Sequence, residues 1–98
     1  GKKFLSKGSQ PYYLKEISPK KGGEGTKCTI KGNLSYWENN TDVFIGNKKM
    51  EKLFHSHDSI VFQIPRVNNF GSQPVTLRTH YPEEIILADG LMFELVEP

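Results

Sequence analysis

Three histidines and one cysteine carry most of the reactive chemistry in this 98-residue sequence. His55 and His57 stand two apart in "HSH". An extended backbone would put both imidazoles on one face, where they could begin a metal site with Asp58 or His80. Such a site needs three or four converging ligands, and the sequence offers two neighbours; the pair reads as solvated loop residues, and no metal is expected. Cys28 sits at an apolar-alternating position with no activating pattern around it, so it reads as a small buried hydrophobe and not a nucleophile. Glu83 and Glu84 are adjacent, and a strand would point them apart, which is a poor start for paired acid–base work. Gly22, Gly23 and Gly25 precede an alternating segment and no helix N-terminus, so they are not a phosphate-binding loop. No cofactor is implied, and the chain reads as non-catalytic.

Contact chemistry is better represented. Tyr36 and Trp37 form an aromatic pair among Asn and Ser, able to anchor a protein partner or stack on a sugar. The competing reading folds Trp37 back as a plug over one end of the fold. Asn33-Leu34-Ser35 and Asn39-Asn40-Thr41 are N-glycosylation sequons. Lys20, Lys21, Lys48, Lys49 and Lys52 flank expected turns and could form a basic tip facing phosphates. A formal net charge of +2 without interleaved aromatics makes nucleic acid less favoured than a protein partner or neighbouring domains of the same chain. No apolar run approaches the ~18 residues of a membrane span, so membrane insertion by this segment is not expected. The single cysteine rules out an internal disulfide and leaves the compartment uncertain, with the cell surface slightly favoured over the interior. Oligomeric state is not legible.

The elements that must position these residues are strands. No window of a dozen residues has apolar positions at helical spacing, and Gly and Pro interrupt most candidates. Period-two alternation recurs in "TKCTIKG", "DVFIG", "SIVFQIP", "QPVTLRTH" and "GLMFELVEP". In "YYLKEI", Leu14 and Ile17 are three apart, so a bulge or bend must intervene if both face the core. These make six strands, with a seventh around Lys48 to Phe54. The expected core is Leu14, Ile17, Cys28, Ile30, Val43, Ile45, Ile60, Phe62, Ile64, Val75, Leu77, Leu91, Phe93 and Leu95. Short, evenly spaced strands separated by turn residues predict an all-β sandwich. The length suits one domain, over 11–98, with 1–10 as a flexible N-terminal segment or linker. The opening "GKKFLSKGSQP" reads as part of a larger protein.

Ile17, Ser18, Pro19, Gly22, Gly25, Thr26, Cys28, Ile30 and Gly32 fall in order on a further pattern. It is a hydrophobic strand, then Ser-Pro, a Gly-rich turn, a Gly-Thr pair, alternating apolar residues and a closing Gly. In this the segment resembles the start of an IPT/TIG domain, the immunoglobulin-like fold shared by plexins, scatter-factor receptors and Rel-type transcription factors. "DVFIGNKKM", "DSIVFQIP", "GSQPVTLRT" and "LMFELVEP" look like later strands of that family, so the resemblance covers about 11–97. Cys28 departs from it, standing where the family usually has Val or another aliphatic residue. So does "YPEEIILADG", which is longer and more apolar than a plain hairpin.

The resemblance implies a non-catalytic Ig-like module, a protein-interaction or spacer domain within a larger receptor or cell-surface protein. Two alternatives accompany it. One is an intracellular Rel-like dimerisation or DNA-contacting domain, or a small-GTPase-binding module. The other is an accessory domain of a polysaccharide-active protein, with Tyr36 and Trp37 stacking on sugar. In the family's topology "YYLKEI" would lie at a sheet edge, and its Tyr12 and Tyr13 suit an interface with one wet side. Partner contact is therefore expected at Tyr12–Glu16 before the tip loops.

Overall fold

The computed structural model describes residues 2–5, 12–34, 41–80 and 84–98, and among them every regular element is a β-strand. In chain order they are β1 (Lys2–Leu5), β2 (Tyr13–Ser18), β3 (Lys21–Gly22), β4 (Lys27–Asn33), β5 (Thr41–Ile45), β6 (Lys48–Lys49), β7 (Glu51–His55), β8 (Ser59–Gln63), β9 (Gly71–Thr79), β10 (Glu84–Leu87) and β11 (Met92–Leu95). Two sheets pack face to face. One has the order β2-β4-β8-β7; in the other, β9 pairs with β5, β10 and β11, while β1, β3 and β6 extend the margins.

The alternation read from sequence places the core. Cys28 and Ile30 of β4, Ile60 and Phe62 of β8, and Val43 and Ile45 of β5 are all fully buried. Phe62 from one sheet and Phe93 from the other are the largest side chains in the shared interior. Leu14 and Ile17 both reach it because β2 slips its register against β4 between Leu14 and Glu16, the bulge their spacing demands. Gly32, opposite Leu14, is the third inward position of β4, and a Cβ there would run into the Tyr13 carbonyl. A glycine is the residue that admits this bulge. Gly25, at φ 89°, turns the chain from β3 into β4.

β2 and β3 are one line of chain shared between the two sheets. After β2 the Ser18–Pro19 bond is cis, and β3 then lies parallel to β11 in the opposite sheet. Lys48 to Phe54, expected as one strand, is likewise split. β6 pairs with β5 and β7 pairs with β8, with buried Met50 at the crossing, its N–H bonded to the Val43 carbonyl at 2.8 Å.

Lys2–Leu5, at the start of the chain, forms β1 and pairs in parallel with the edge of β10. Two expectations are corrected. "YPEEIILADG" is more than a connection, for it contains β10, whose Ile85, Ile86 and Leu87 are buried. Leu91 is only partly buried, packed against the core cluster. It follows a break in register: between Leu87↔Leu77 and Met92↔Pro74, the β10–β11 side of β9 spends five steps against three. Truncating Phe62 to Ala should cost about 3–5 kcal/mol in chemical denaturation, since the ring is wholly enclosed. A loss below about 1 kcal/mol would contradict that packing.

Candidate functional site

The five-against-three step leaves residues 88–91 bulged toward β2, and this joins the two sheets along one flank. Asp89 Oδ2 accepts the Leu14 N–H at 2.5 Å, and Asp89 Oδ1 is buried beside it without a partner among the described residues. The carboxylate therefore caps an amide on the outer edge of β2. Below it, Lys15, Glu16, Ile17 and Lys20 face Gly90, Leu91 and Met92 across an open groove of ≈ 240 Å³. Met92 is 48% exposed, and Tyr13 at the head of β2 is 40% exposed. Tyr12 is half-buried against the core. The flank thus presents an amphipathic strip: apolar Met92 and the Tyr13 ring among lysines and a glutamate. That chemistry suits a protein surface with one wet side.

The other sequence candidates are dispersed. Asn33 lies in β4, opposite Tyr13 in register. Tyr36, Trp37 and Asn39 fall outside the described residues. The chain leaves β4 beside the "HSH" hairpin, where Leu34 N–H donates to the His57 carbonyl at 2.7 Å. His57 is exposed and lies 3.9 Å from Asp58. Asp58 is held below the usual carboxylate range chiefly by the Ser56 hydroxyl. His80 contacts Asp42 at 3.1 Å on the other sheet. The three imidazoles thus have separate surroundings, and among the described residues no three His, Cys, Asp or Glu side chains converge as metal ligands. Among the described residues no helix is long and apolar enough to cross a membrane.

The lysines divide. Lys20, Lys21, Lys48 and Lys49 are exposed. Lys52 turns inward from β7, donating to the Thr41 carbonyl at 2.6 Å and approaching His55 Nδ1 at 3.3 Å. Desolvation lowers its pKa, opposed by the Asp42 carboxylate. The chain bulges between Lys52 and Phe54, leaving Leu53 at 47% and Phe54 at 56% exposure on this second edge. Adjacent apolar residues within an otherwise alternating strand were the sequence signal for that bulge. Sequence reasoning missed Asp89, whose role depends on a register slip, and Arg78, which stacks 4.1 Å over Phe44.

Cys28 is fully buried, and desolvation pushes its thiol up to about 11 from 9.0. A raised acid pKa favours the folded state below the unfolded value and loses that advantage as pH climbs from about 9 to about 11. Cys28 should ignore a thiol reagent at pH 8 in the native protein and react fully in denaturant; rapid native labelling would contradict its burial. Asp89→Ala should lower unfolding free energy by about 1.5–3 kcal/mol, the range for hydrogen bonds to charged groups. An unchanged denaturation midpoint would show that the cap contributes nothing.

A family model described as the IPT/TIG domain matches residues 13–89. No curated protein matches the chain. Among solved structures, a gamma-CGTase from alkalophilic Bacillus clarkii aligns over 94% of this chain and 13% of its own, with TM-score 0.72 and 20% identity. An auxiliary nutrient binding protein from Bacteroides thetaiotaomicron VPI-5482 aligns over 92% of this chain and 22% of its own, with TM-score 0.72 and 21% identity. A protein of the same description from Bacteroides ovatus ATCC 8483 aligns over 90% of this chain and 21% of its own, with TM-score 0.69 and 15% identity. The chain therefore spans 13–22% of the length of these structures, and at such identities the likeness is one of fold. With two packed sheets, a strand that changes sheet at Pro19, and a family match over most of its length, the chain belongs to the IPT/TIG domain family.

Proposed function

We propose that this chain is a non-catalytic spacer and protein-contact module within a longer receptor or cell-surface protein. The observation that carries the reading is the path of the backbone. Lys2 pairs with Glu84 at the end of the sandwich where β9 finishes, whereas β11 runs the opposite way and delivers Pro98 beside Glu24 and Arg66 at the other end. Polypeptide entering and leaving at opposite ends makes the body, 36 Å in its longest extent, a fixed separation between whatever it joins. Protein contact falls on the Tyr12–Tyr13 flank and its groove. Because Asp89 occupies the Leu14 amide, that contact is made by side chains and not by strand addition.

A second reading, an accessory domain in a polysaccharide-active or nutrient-binding protein, draws on the three solved structures, each holding this fold within a much longer chain. Trp37 is the sole tryptophan, so its fluorescence reports on sugar stacking near it.

Spin labels on Lys2→Cys and Pro98→Cys, with Cys28 shielded by burial, should give one narrow distance distribution on the order of 30–40 Å by double electron–electron resonance, the scale of the long axis. A short or broad distribution would remove the spacer reading. Titration with starch oligosaccharides should leave Trp37 emission flat. A saturable change, lost in Tyr36→Ala, would instead establish the polysaccharide-binding role.

A further inference from the structure

β10 is buried like a central strand. Ile85, Ile86 and Leu87 are consecutive and all buried, and successive side chains of a strand point to opposite faces. Ile85 and Leu87 belong to the core cluster and Ile86 does not, so β10 is covered on its outer face as well. One of its edges is held by β9, antiparallel; the other is held by β1, in the parallel register Lys2↔Glu84 through Leu5↔Leu87. Without β1, an unpaired ladder would run along three buried apolar residues, which is a template for another strand.

β1 has the attributes of a detachable occupant. It pairs with β10 and with no other described strand. It precedes the residues matched by the family model, and six residues separate it from Tyr12. The pairing surface it offers to β10 of its own chain is identical to the one it offers to β10 of another copy, so exchange requires no new interface. We propose that the β10 edge is a strand-acceptor site, and that the N-terminal strand of a second copy occupies it by reciprocal exchange. The parallel ladder would be the same in monomer and dimer, and protein concentration and the reach of residues 6–11 would choose between them. Exchange would carry Lys2 to β10 of the other copy, so the Lys2–Pro98 distance that tests the spacer reading is measured at concentrations where the chain is monomeric, and the two readings then fail separately.

Two variants of the full chain test it. Deleting Ser6–Gln10 leaves Pro11 alone between Leu5 and Tyr12, a reach of roughly 7 Å at ~3.3–3.6 Å per residue, too short to cross the ~10 Å between the sheet that holds β1 and the sheet that holds β2. Size-exclusion chromatography with light scattering should then show a dimer that becomes monomeric on adding Lys3→Pro and Phe4→Pro. Consecutive prolines remove whichever of the two amides donates to β10. In the second arm, the double-proline chain at its natural length receives a labelled peptide of residues 1–11. Saturable anisotropy, absent for the peptide carrying the same prolines, is expected. A monomeric deletion variant, or a folded double-proline chain that ignores the peptide, overturns the proposal.

Discussion

β9 is the strand on which the larger sheet depends. Its residues 75–79 pair with β5 on one side, while the other side pairs with β10 through 77–79 and with β11 through 71–74. Val75 and Leu77 are buried at the centre of that arrangement. Each partner strand comes from a different part of the chain, so the sheet is closed by distant segments meeting along one nine-residue ladder. Backbone groups removed from water must find partners, and β9 supplies them on both edges at once. The apolar faces of β5 and β11 then lie together opposite β4 and β8.

A sandwich built this way has edges, and each is managed differently. On β2, a carboxylate from the opposite sheet takes an amide that would otherwise solicit a strand. On β7, a bulge disrupts the ladder and a lysine turns inward to a carbonyl, at a desolvation cost that lowers its pKa. On β10, the chain's own N-terminus fills the place. The charged cap, the bulge and the borrowed strand are alternative solutions to one problem, and they leave different surfaces for partners: amphipathic side chains beside β2, exposed Leu53 and Phe54 on β7, and a backbone ladder on β10.

The same economy bears on function. Reactive groups are either enclosed, as Cys28 is, or spread over separate elements, as the histidines are. What remains is a body with an amphipathic flank and a backbone that crosses from end to end. Such a body can hold neighbours apart and offer them a surface, the role proposed for this family member.

The core was legible in the sequence because period-two alternation is a local property: one residue in, one out, along Cys28–Ile30, Val43–Ile45 and Ile60–Phe62–Ile64. The β2 bulge was legible as well, since the three-residue spacing of Leu14 and Ile17 admits both to one interior only through a slip. So was the IPT/TIG pattern from Ile17 to Gly32, in which the turn and the strand it feeds are contiguous. What alternation could not reveal was β10, because Ile85-Ile86-Leu87 has no period and its burial on both faces depends on parts of the chain distant in sequence. The flank of the candidate site was half legible: Tyr12 and Tyr13 stood out by type, but Asp89 caps Leu14 only because β10 and β11 lose register 75 residues away in the chain. Lys52 looked like part of a basic tip, and the crossing at Met50 turned it inward. Local pattern determined the alternating core of the strands and the family they form; the tertiary structure decided the burial of β10 and which edges are open, because both depend on strands brought from elsewhere in the sequence.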